Sequence, residues 1–363
     1  MDCCDILIVG GGPAGSSCAW GLRNSGLDVA ILDKQRFPRD KVCGGWITPQ
    51  VLKALKIDPV AYGVGRTLQP ITSFRTGSIG SRAPIFTDYG RPVSYGIRRR
   101  EFDDYLLRRS EARLHEGVGL ASIERDGGWW IVNSNLRARV VVGAGGHFCP
   151  VARHFGPKAT ATAVVAQETE FEMDERQQAD CPVRGTTPEL YFCPDMKGYG
   201  WCFRKGNFLN IGLGRADSHG LPDQVGGFVR FLTSMGISPE MPAMRGHAYF
   251  LYGTSERRVA GEGFLLIGDA VGLAYPQSGE GILPAIESGL LAAETILAAK
   301  GDYAEAQLAP YAAQLARRFG TGDRLTGIAG SLPPRLIQLA AMRLLETRWF
   351  VRNFVLDRWF LHQ

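Results

Sequence analysis

Short apolar runs alternate with glycines at the start of the chain and predict a strand, a helix and a second strand. Residues 6–9 are apolar at every position, as in a strand buried on both faces of a parallel sheet. Residues 14–22 show the apolar spacing of a helix, and residues 29–32 form a second apolar run. This order predicts a βαβ unit, in which a helix connects two parallel strands.

The same pattern returns later in the chain. Residues 140–142 and 264–267 are apolar runs that end in glycines, and a helix of about 20 residues is predicted to begin near Gly281. Between about 155 and 250, short β-rich runs such as ELYFCP and GNFLNIGLGR predict a second, antiparallel layer.

The turn after the first strand carries the glycine spacing of a dinucleotide site. Gly10 permits a tight turn, Gly12 lets a pyrophosphate approach the backbone, and Gly15 allows close packing of helix and strand. The helix N-terminus supplies unpaired N–H groups for phosphate. Asp33 ends the second strand 18 residues after Gly15, where its carboxylate can accept hydrogen bonds from ribose hydroxyls.

Composition argues against several other classes of protein. The net charge of +5 is spread over 363 residues, which is no electrostatic footprint for nucleic acid. The eight cysteines are irregularly spaced, so neither a disulfide framework nor a metal site is expected. No apolar stretch reaches the length of a membrane span and no signal peptide is evident, so we expect a cytoplasmic protein that is peripheral at most.

Five ordered motifs over residues 4–300 resemble those of the geranylgeranyl reductase family within the flavoprotein hydroxylase superfamily. They are the glycine fingerprint, KVCGGWITP, IRRREFDDYL, YGWCFRK and GDAVGLAYPQSGEG. Arg204 replaces the proline of the family's YxWxFPK segment. Gly145-Gly146 and Cys149 stand where the superfamily usually has Asp-Gly and a serine, which questions the usual role of that aspartate. The related halogenases carry a W-x-W-x-I-P motif that this chain lacks.

The resemblance implies FAD as the cofactor. Asp269 is placed to bind the ribityl hydroxyls, and the helix near Gly281 directs its positive end at the anionic reduced flavin. The predicted cofactor-binding residues are Gly10, Gly12, Pro13, Ala14, Gly15, Asp33, Lys34, Lys41, Cys43, Gly44, Arg99, Gly145, Gly268, Asp269, Gly279, Gly281 and Ile282.

Three residues are candidates for the chemistry. Cys43 can donate a proton or shape the pocket beside the flavin, since an unperturbed thiol is mostly protonated at neutral pH. Tyr199 and Trp201 alternate on one strand and therefore face the same side, where they can line an apolar channel or simply pack in the core.

The resulting fold class is α/β. It comprises a Rossmann-like FAD-binding domain, an inserted substrate domain that forms an α+β layer on an antiparallel β-sheet, and a C-terminal helical segment. The FAD-binding domain is expected at 1–70, 97–155 and 250–300, the substrate domain at 71–96 and 156–249, and the helical region at 301–363.

The leading functional interpretation is an FAD-dependent oxidoreductase that reduces carbon–carbon double bonds of an isoprenoid or other long apolar substrate. The alternative is a flavin-dependent monooxygenase or oxidative tailoring enzyme on a small or carrier-bound substrate. Because the chain has no second GxGxxG unit, an external donor, either NADPH or a reductase or ferredoxin, is expected to supply the electrons.

The C-terminal segment combines large apolar side chains with arginines. It can lie on an anionic membrane surface, pack against the body or form a contact between copies of the chain, and the sequence leaves all three open. In the first case, the side chains at the interface would be Trp349, Phe350, Trp359 and Phe360.

Overall fold

The computed structural model describes residues 1–81, 83–156, 163–217, 220–237, 240–249, 251, 257–320 and 334–362. Part of the expected C-terminal helical region, residues 321–333, therefore lies outside the described residues. The strands are β1 (Asp2–Val9), β2 (Val29–Asp33), β3 (Trp46–Ile47), β4 (Leu68–Ile71), β5 (Ser73–Ser78), β6 (Ile85–Asp88), β7 (Ser94–Ile97), β8 (Arg113–Glu116), β9 (Ile123–Asp126), β10 (Trp129–Val132), β11 (Leu136–Gly143), β12 (Val164–Glu172), β13 (Glu189–Phe192), β14 (Gly198–Lys205), β15 (Phe208–Arg215), β16 (Arg245–Tyr249), β17 (Ala260–Gly261) and β18 (Phe264–Leu266).

The helices lie between these strands and after them. They are α1 (Pro13–Leu22), α2 (Pro49–Ala54), α3 (Pro59–Gly63), α4 (Arg99–Arg109), α5 (Pro150–Phe155), α6 (Glu175–Asp180), α7 (Leu221–Ser234), α8 (Ile282–Ala298), α9 (Glu305–Leu308), α10 (Pro310–Phe319), α11 (Pro334–Leu345) and α12 (Arg348–Phe350), which continues as a π-helix over Val351–Phe360. Two 3₁₀ turns, Gly146–Phe148 and Gly268–Ala270, follow β11 and β18.

The first sheet has the order β17–β18–β11–β1–β2–β8, and β1 lies at its centre. Ile6 of β1 pairs in parallel with Val140 of β11 and with Val29 of β2. Residues 6–9 are at most 4% exposed, so both faces of β1 are covered, which is why the run is apolar without alternation. The predicted βαβ unit is confirmed, as are the later strands over residues 140–142 and 264–266.

The second sheet has the order β16–β12–β15–β14–β13–β5–β6. Its pairings are antiparallel as predicted, except that β13 runs parallel to β5. A small third sheet, β3–β7–β4, was not predicted, because its strands have only two to four residues and show no clear alternation. Together the sheets and helices confirm the Rossmann-like α/β class with an antiparallel layer.

Helices α1 and α8 pack closely against each other through glycines. A Cβ built on Gly289 would lie 2.3 Å from the Ala14 carbonyl oxygen, and one on Gly21 would lie 2.7 Å from the Ala293 Cβ. Both helices therefore begin at the same end of the first sheet. The close contact places the N-terminus of α8 beside the glycine turn that precedes α1.

The C-terminal elements pack against two different parts of the body. Tyr311 and Phe319 of α10 belong to the core of the first sheet, whereas Val355 and Phe360 of the π-helix pack into the core of the second. Within the described residues, no helix combines the length and the apolar character needed to cross a membrane. The domain boundaries expected from the sequence remain a proposal, which the strand membership of the two large sheets supports.

We predict that Gly289→Ala destabilises the protein by about 3 kcal/mol, because the added methyl group meets backbone that cannot move without separating α1 from α8. Gly63→Ala is the matched control, since its Cβ meets no atom within 4 Å. Denaturant unfolding measures both variants. Equal stability for Gly289→Ala and the wild type would show that the helices adjust freely.

Candidate functional site

One cavity of about 930 Å³ lies at the carboxyl ends of β1 and β2, between the first and second sheets. Open parallel sheets bind their ligands at this edge. All the predicted site residues line it except Gly15 and Gly268. The cavity joins the glycine turn, the CGG loop and the loop before α8 to the face of the second sheet.

The glycine turn has room for a ligand at one position only. A Cβ on Gly10 would lie 2.4 Å from the Ala144 oxygen, and one on Gly15 would lie 1.9 Å from the Gly10 oxygen, so these two glycines serve packing. At Gly12 the only near atom is Nη2 of Arg39, at 3.5 Å. Pro13 begins α1 at a position where its missing N–H costs nothing. Gly12 therefore opens the backbone to the cavity as expected for pyrophosphate.

Asp33 at the end of β2 is held by backbone N–H groups. Its Oδ2 accepts from Gly11 N at 2.7 Å, and its Oδ1 accepts from Gln35 N at 2.8 Å. Asp33 and Lys34 both line the cavity. The carboxylate is thus fixed in direction and retains acceptor capacity for a diol.

The loop before α8 forms the other end of the cavity. Gly279 has a φ of +69°, and a Cβ there would lie 2.3 Å from the Tyr249 hydroxyl oxygen. Asp269 is enclosed near Gly281, and burial raises the pKa of its carboxyl. α8 begins at Ile282, has 17 residues and directs its positive end at the cavity.

Gly268 does not line the cavity, and its cofactor-binding role stays a prediction. Its φ is +62°, a Cβ on it would lie 2.9 Å from the Ala14 Cβ, and its N–H donates to Ser288 Oγ at 2.9 Å. Gly268 therefore serves the contact between α1, α8 and the 3₁₀ turn. The neighbouring Asp269 reaches the cavity instead.

The CGG loop is attached to the second sheet through its backbone. Cys43 N donates to Glu168 Oε1, and Cys43 O accepts from Asn210 Nδ2 at 3.3 Å. A Cβ on Gly44 would lie 3.3 Å from Phe203 and 3.4 Å from Trp201 Nε1. The loop thus lies flat against the aromatic side chains of β14.

Arg99 lines the cavity, but its guanidinium group is already paired. It donates to both oxygens of Asp103, at 2.7 and 2.8 Å, and Asp103 also pairs with Arg39 at 3.1 Å. The opposing charge of Asp103 raises the pKa of Arg99 against the effect of burial. Arg99 also lies beside the Cys43 thiol, so its effect on the cavity is that of a fixed positive charge.

Lys41 lies in the cavity wall and not on the surface. Its Nζ is 3.0 Å from His247 Nε2 and 3.2 Å from Nδ1. Burial and the charge of Arg99 lower the pKa of Lys41 to about 8. Burial and the charge of Lys41 lower the pKa of His247 to about 3, so the imidazole is neutral at neutral pH.

Tyr199 and Trp201 share one side of β14 as predicted, and both line the cavity. Tyr199 donates its hydroxyl hydrogen to Ser278 O at 2.5 Å, and Trp201 Nε1 donates to Asn210 Oδ1 at 2.7 Å. Phe360 lies against Tyr199 with 5.3 Å between ring centroids, and it stacks on Trp46 at 5.2 Å. These aromatic side chains form a continuous wall.

Comparison with known proteins matches this chain to FAD-dependent oxidoreductases, which agrees with a dinucleotide site in this cavity. The family model of FAD dependent oxidoreductases matches residues 5–78. Geranylgeranyl diphosphate reductase of Rhodobacter capsulatus is 33% identical over 319 residues, which cover 81% of this chain and 75% of that protein. The chain belongs to the geranylgeranyl reductase family of FAD-dependent oxidoreductases.

The chain is also similar to a second relative and to a solved structure. Menaquinone reductase of Mycobacterium tuberculosis is 29% identical over 324 residues, covering 81% of this chain and 77% of that one. A geranylgeranyl bacteriochlorophyll reductase-like structure from Thermoplasma acidophilum has a TM-score of 0.75 at 21% identity, covering 95% of this chain and 88% of that one. That structure supports the fold.

The residues of this geranylgeranyl reductase family member fit FAD. Gly12 leaves its backbone exposed to the cavity, Arg39 Nη1 is buried without a protein partner among the described residues, and α1 and α8 both begin at the cavity. These positive groups suit a diphosphate and a reduced isoalloxazine ring. In our interpretation Asp33 and Lys34 hold the adenosine end, and Asp269, Gly279, Gly281 and Ile282 hold the flavin end.

Several cavity residues carried no sequence signal. Glu168, His247 and Tyr249 lie on β12 and β16, where one polar side chain in a β-rich stretch looks like an exposed position. Phe360 belongs to a segment whose position the sequence left open. Only the pairing of β12 with β15 and β16 brings Glu168, His247 and Tyr249 to the cavity.

We predict that Gly12→Ala lowers FAD affinity at least about tenfold, equivalent to 1.4 kcal/mol, while the apoprotein unfolds as the wild type does. A methyl group at Gly12 meets only the end of Arg39 in the protein, so its cost arises when the pyrophosphate approaches. Flavin titration followed by fluorescence and apoprotein unfolding test the two statements. Unchanged flavin affinity would remove the pyrophosphate from this turn.

Proposed function

We propose that this protein uses reduced FAD to saturate carbon–carbon double bonds in an isoprenoid or other long apolar substrate. The observation that carries the proposal is the aromatic wall of Trp46, Tyr199, Trp201, Phe203 and Phe360, which shares one cavity with the cofactor loops. An apolar chain placed along this wall leaves water and lies beside the CGG loop. When bound, FAD supplies the hydride from N5.

Two side chains of the wall are fixed by hydrogen bonds, and the neighbouring Cys43 is a candidate proton donor. Tyr199 and Trp201 direct their polar hydrogens into Ser278 and Asn210, so we assign them to shaping the channel and holding the loops. The Cys43 thiol accepts a weak contact from Gly45 N at 3.5 Å and lies beside the Arg99 guanidinium group. Cys43 therefore stays a candidate for proton donation or for shaping the pocket.

The names of the relatives support the substrate class. One relative is a geranylgeranyl diphosphate reductase and another a menaquinone reductase. We propose that an external donor, either NADPH or a reductase or ferredoxin, supplies the electrons, because the sequence contains one dinucleotide-binding fingerprint.

We predict that the enzyme, reduced chemically without oxygen, is reoxidised by polyprenyl diphosphates, polyprenyl quinones or polyprenyl lipids, with one double bond saturated for each flavin oxidised. Flavin absorbance and mass spectrometry measure the two stoichiometries. A saturated analogue is the control and should leave the flavin reduced. Incorporation of ¹⁸O from ¹⁸O₂ into a substrate, with no saturation of any alkene, would instead establish the monooxygenase alternative.

The C-terminal segment packs against the body with one face and exposes another. Phe360, which would lie at the interface if the whole segment lay on a membrane, is instead buried and stacks on Trp46. Leu339, Leu344 and Trp349 are 60%, 45% and 66% exposed, and Arg348 is exposed next to Trp349. We propose that this exposed face contacts an anionic membrane that holds the substrate.

We predict that the double substitution Arg348→Gln/Trp349→Ser weakens binding to phosphatidylglycerol vesicles on the order of tenfold, since it removes one charge and one interfacial aromatic side chain. Val60→Ser, at a distant side chain that is 79% exposed, is the control. Vesicle sedimentation at low and high salt measures the effect. Equal sedimentation of the double variant and the wild type would remove this face from membrane contact.

A further inference from the structure

A buried carboxyl group faces the CGG loop from the second sheet. Glu168 lies in the middle of β12, paired with Gly212 of β15 on one side and with Arg245 of β16 on the other. It is 4% exposed and lines the cavity. A Cβ on Gly212 would lie 2.7 Å from the Glu168 Cβ, so the glycine provides the space that the side chain occupies.

The two oxygens of Glu168 have different environments. Oε1 accepts the N–H of Cys43, which fixes the plane of the carboxyl group beside the loop. Oε2 is buried and has no hydrogen-bond partner among the described residues. A buried carboxylate oxygen without a partner is costly, whereas a protonated oxygen carries a hydrogen that can be donated.

The neighbouring Glu170 shows what a paired carboxylate looks like in the same strand. Its oxygens contact Lys205 Nζ at 2.6 Å and Arg98 Nε at 3.5 Å. Glu168, two residues earlier on the same face, has no such ion pair within the described residues. The strand therefore presents one acid neutralised by cations and one that is neutralised only by binding a proton.

The electrostatic surroundings agree with this geometry. Burial raises the pKa of Glu168 to about 7, although the Cys43 N–H and the charges of Lys205 and Lys41 oppose the rise. Glu168 thus holds a proton below about pH 7 and loses it above. The charged and titratable groups that face it are Lys41 and Cys43 on the loop, Glu170 on its own strand, Lys205 on β14, and Arg245 and His247 on β16.

We propose that Glu168 is the acid that delivers the proton completing reduction of the double bond. This inference rests on the proposed function. The alkene receives a hydride from reduced flavin at one carbon and a proton from Glu168 Oε2 at the other. The C=C π bond, the N5–H bond of the reduced flavin and the O–H bond of Glu168 break, two C–H bonds form, and the flavin, having given up two electrons with the hydride, is left oxidised. Glu168 remains as a carboxylate, which water reprotonates after product leaves.

The experiment compares Glu168→Gln with the wild type, both reduced without oxygen and mixed with the polyprenyl diphosphate that the wild type saturates. The amide in the Glu168→Gln variant keeps an acceptor for the Cys43 N–H but carries no acidic proton. We expect single-turnover saturation to slow by about 10² or more. Glu189→Gln, at a buried glutamate bonded to Tyr191 and away from the cavity, should stay within about twofold.

The pH dependence gives a second readout. Because the protonated form acts, the wild-type rate should fall as pH rises through about 7, and Glu168→Gln should lose that part of the profile. Glu168→Asp keeps an acid and should keep the profile at a lower rate. If Glu168→Gln retains the wild-type rate and profile while Cys43→Ala abolishes both, the thiol supplies the proton and the inference is wrong.

Infrared spectroscopy tests the proton without turnover. The wild-type protein should show a carboxylic acid C=O band that disappears between about pH 6 and 8 and is absent in Glu168→Gln. Absence of that band in the wild type overturns the inference even if Glu168→Gln loses its flavin. If the wild type saturates no alkene, the proposed function is wrong. The infrared band can still be measured in that case, and it then shows whether Glu168 carries a proton.

Discussion

The close contact between α1 and α8 is the constraint on which the site depends. Gly289 brings the two helices to backbone distance at Ala14, and Gly268 adds the 3₁₀ turn to the same contact. As a result two helix N-termini and the Asp269 carboxyl group meet at one edge of the first sheet. One helix end suits a diphosphate and the other suits a ring that becomes negative on reduction.

A second contact joins this edge to the second sheet. The backbone of Cys43 is held by Glu168 and Asn210, so the CGG loop is positioned by strands that are distant in sequence. Trp201 donates to the same Asn210, which ties the aromatic wall to the loop. The C-terminal π-helix completes the wall with Phe360, and His362 pairs with Glu280 at 3.0 Å beside the cofactor loop. Direct hydrogen bonds therefore join the cofactor loops to the aromatic wall.

The charges in the cavity are arranged unevenly. Arg99 is a permanent positive charge, as guanidinium groups are, and Asp103 holds it in place. Burial instead moves the pKa values of Lys41 and Glu168 toward neutral pH. The cavity wall thus combines the fixed charge of Arg99 with groups such as Lys41 and Glu168, whose protonation responds to small changes in pH or surroundings. Such shifted groups in a cleft are typical of acid–base chemistry.

The sequence by itself determined the βαβ unit, the glycine turn, the end of β2 at Asp33 and the loop before α8, because each depends on local backbone needs that glycine, proline and apolar periodicity reveal. Its motifs also resemble those of the geranylgeranyl reductase family closely enough to indicate FAD as the cofactor. Only the tertiary structure decided that Gly268 serves packing, that Phe360 belongs to the cavity, and that Glu168 and His247 face the CGG loop. Those facts depend on register and on the contact between two sheets, where one residue of shift turns a side chain to the opposite face.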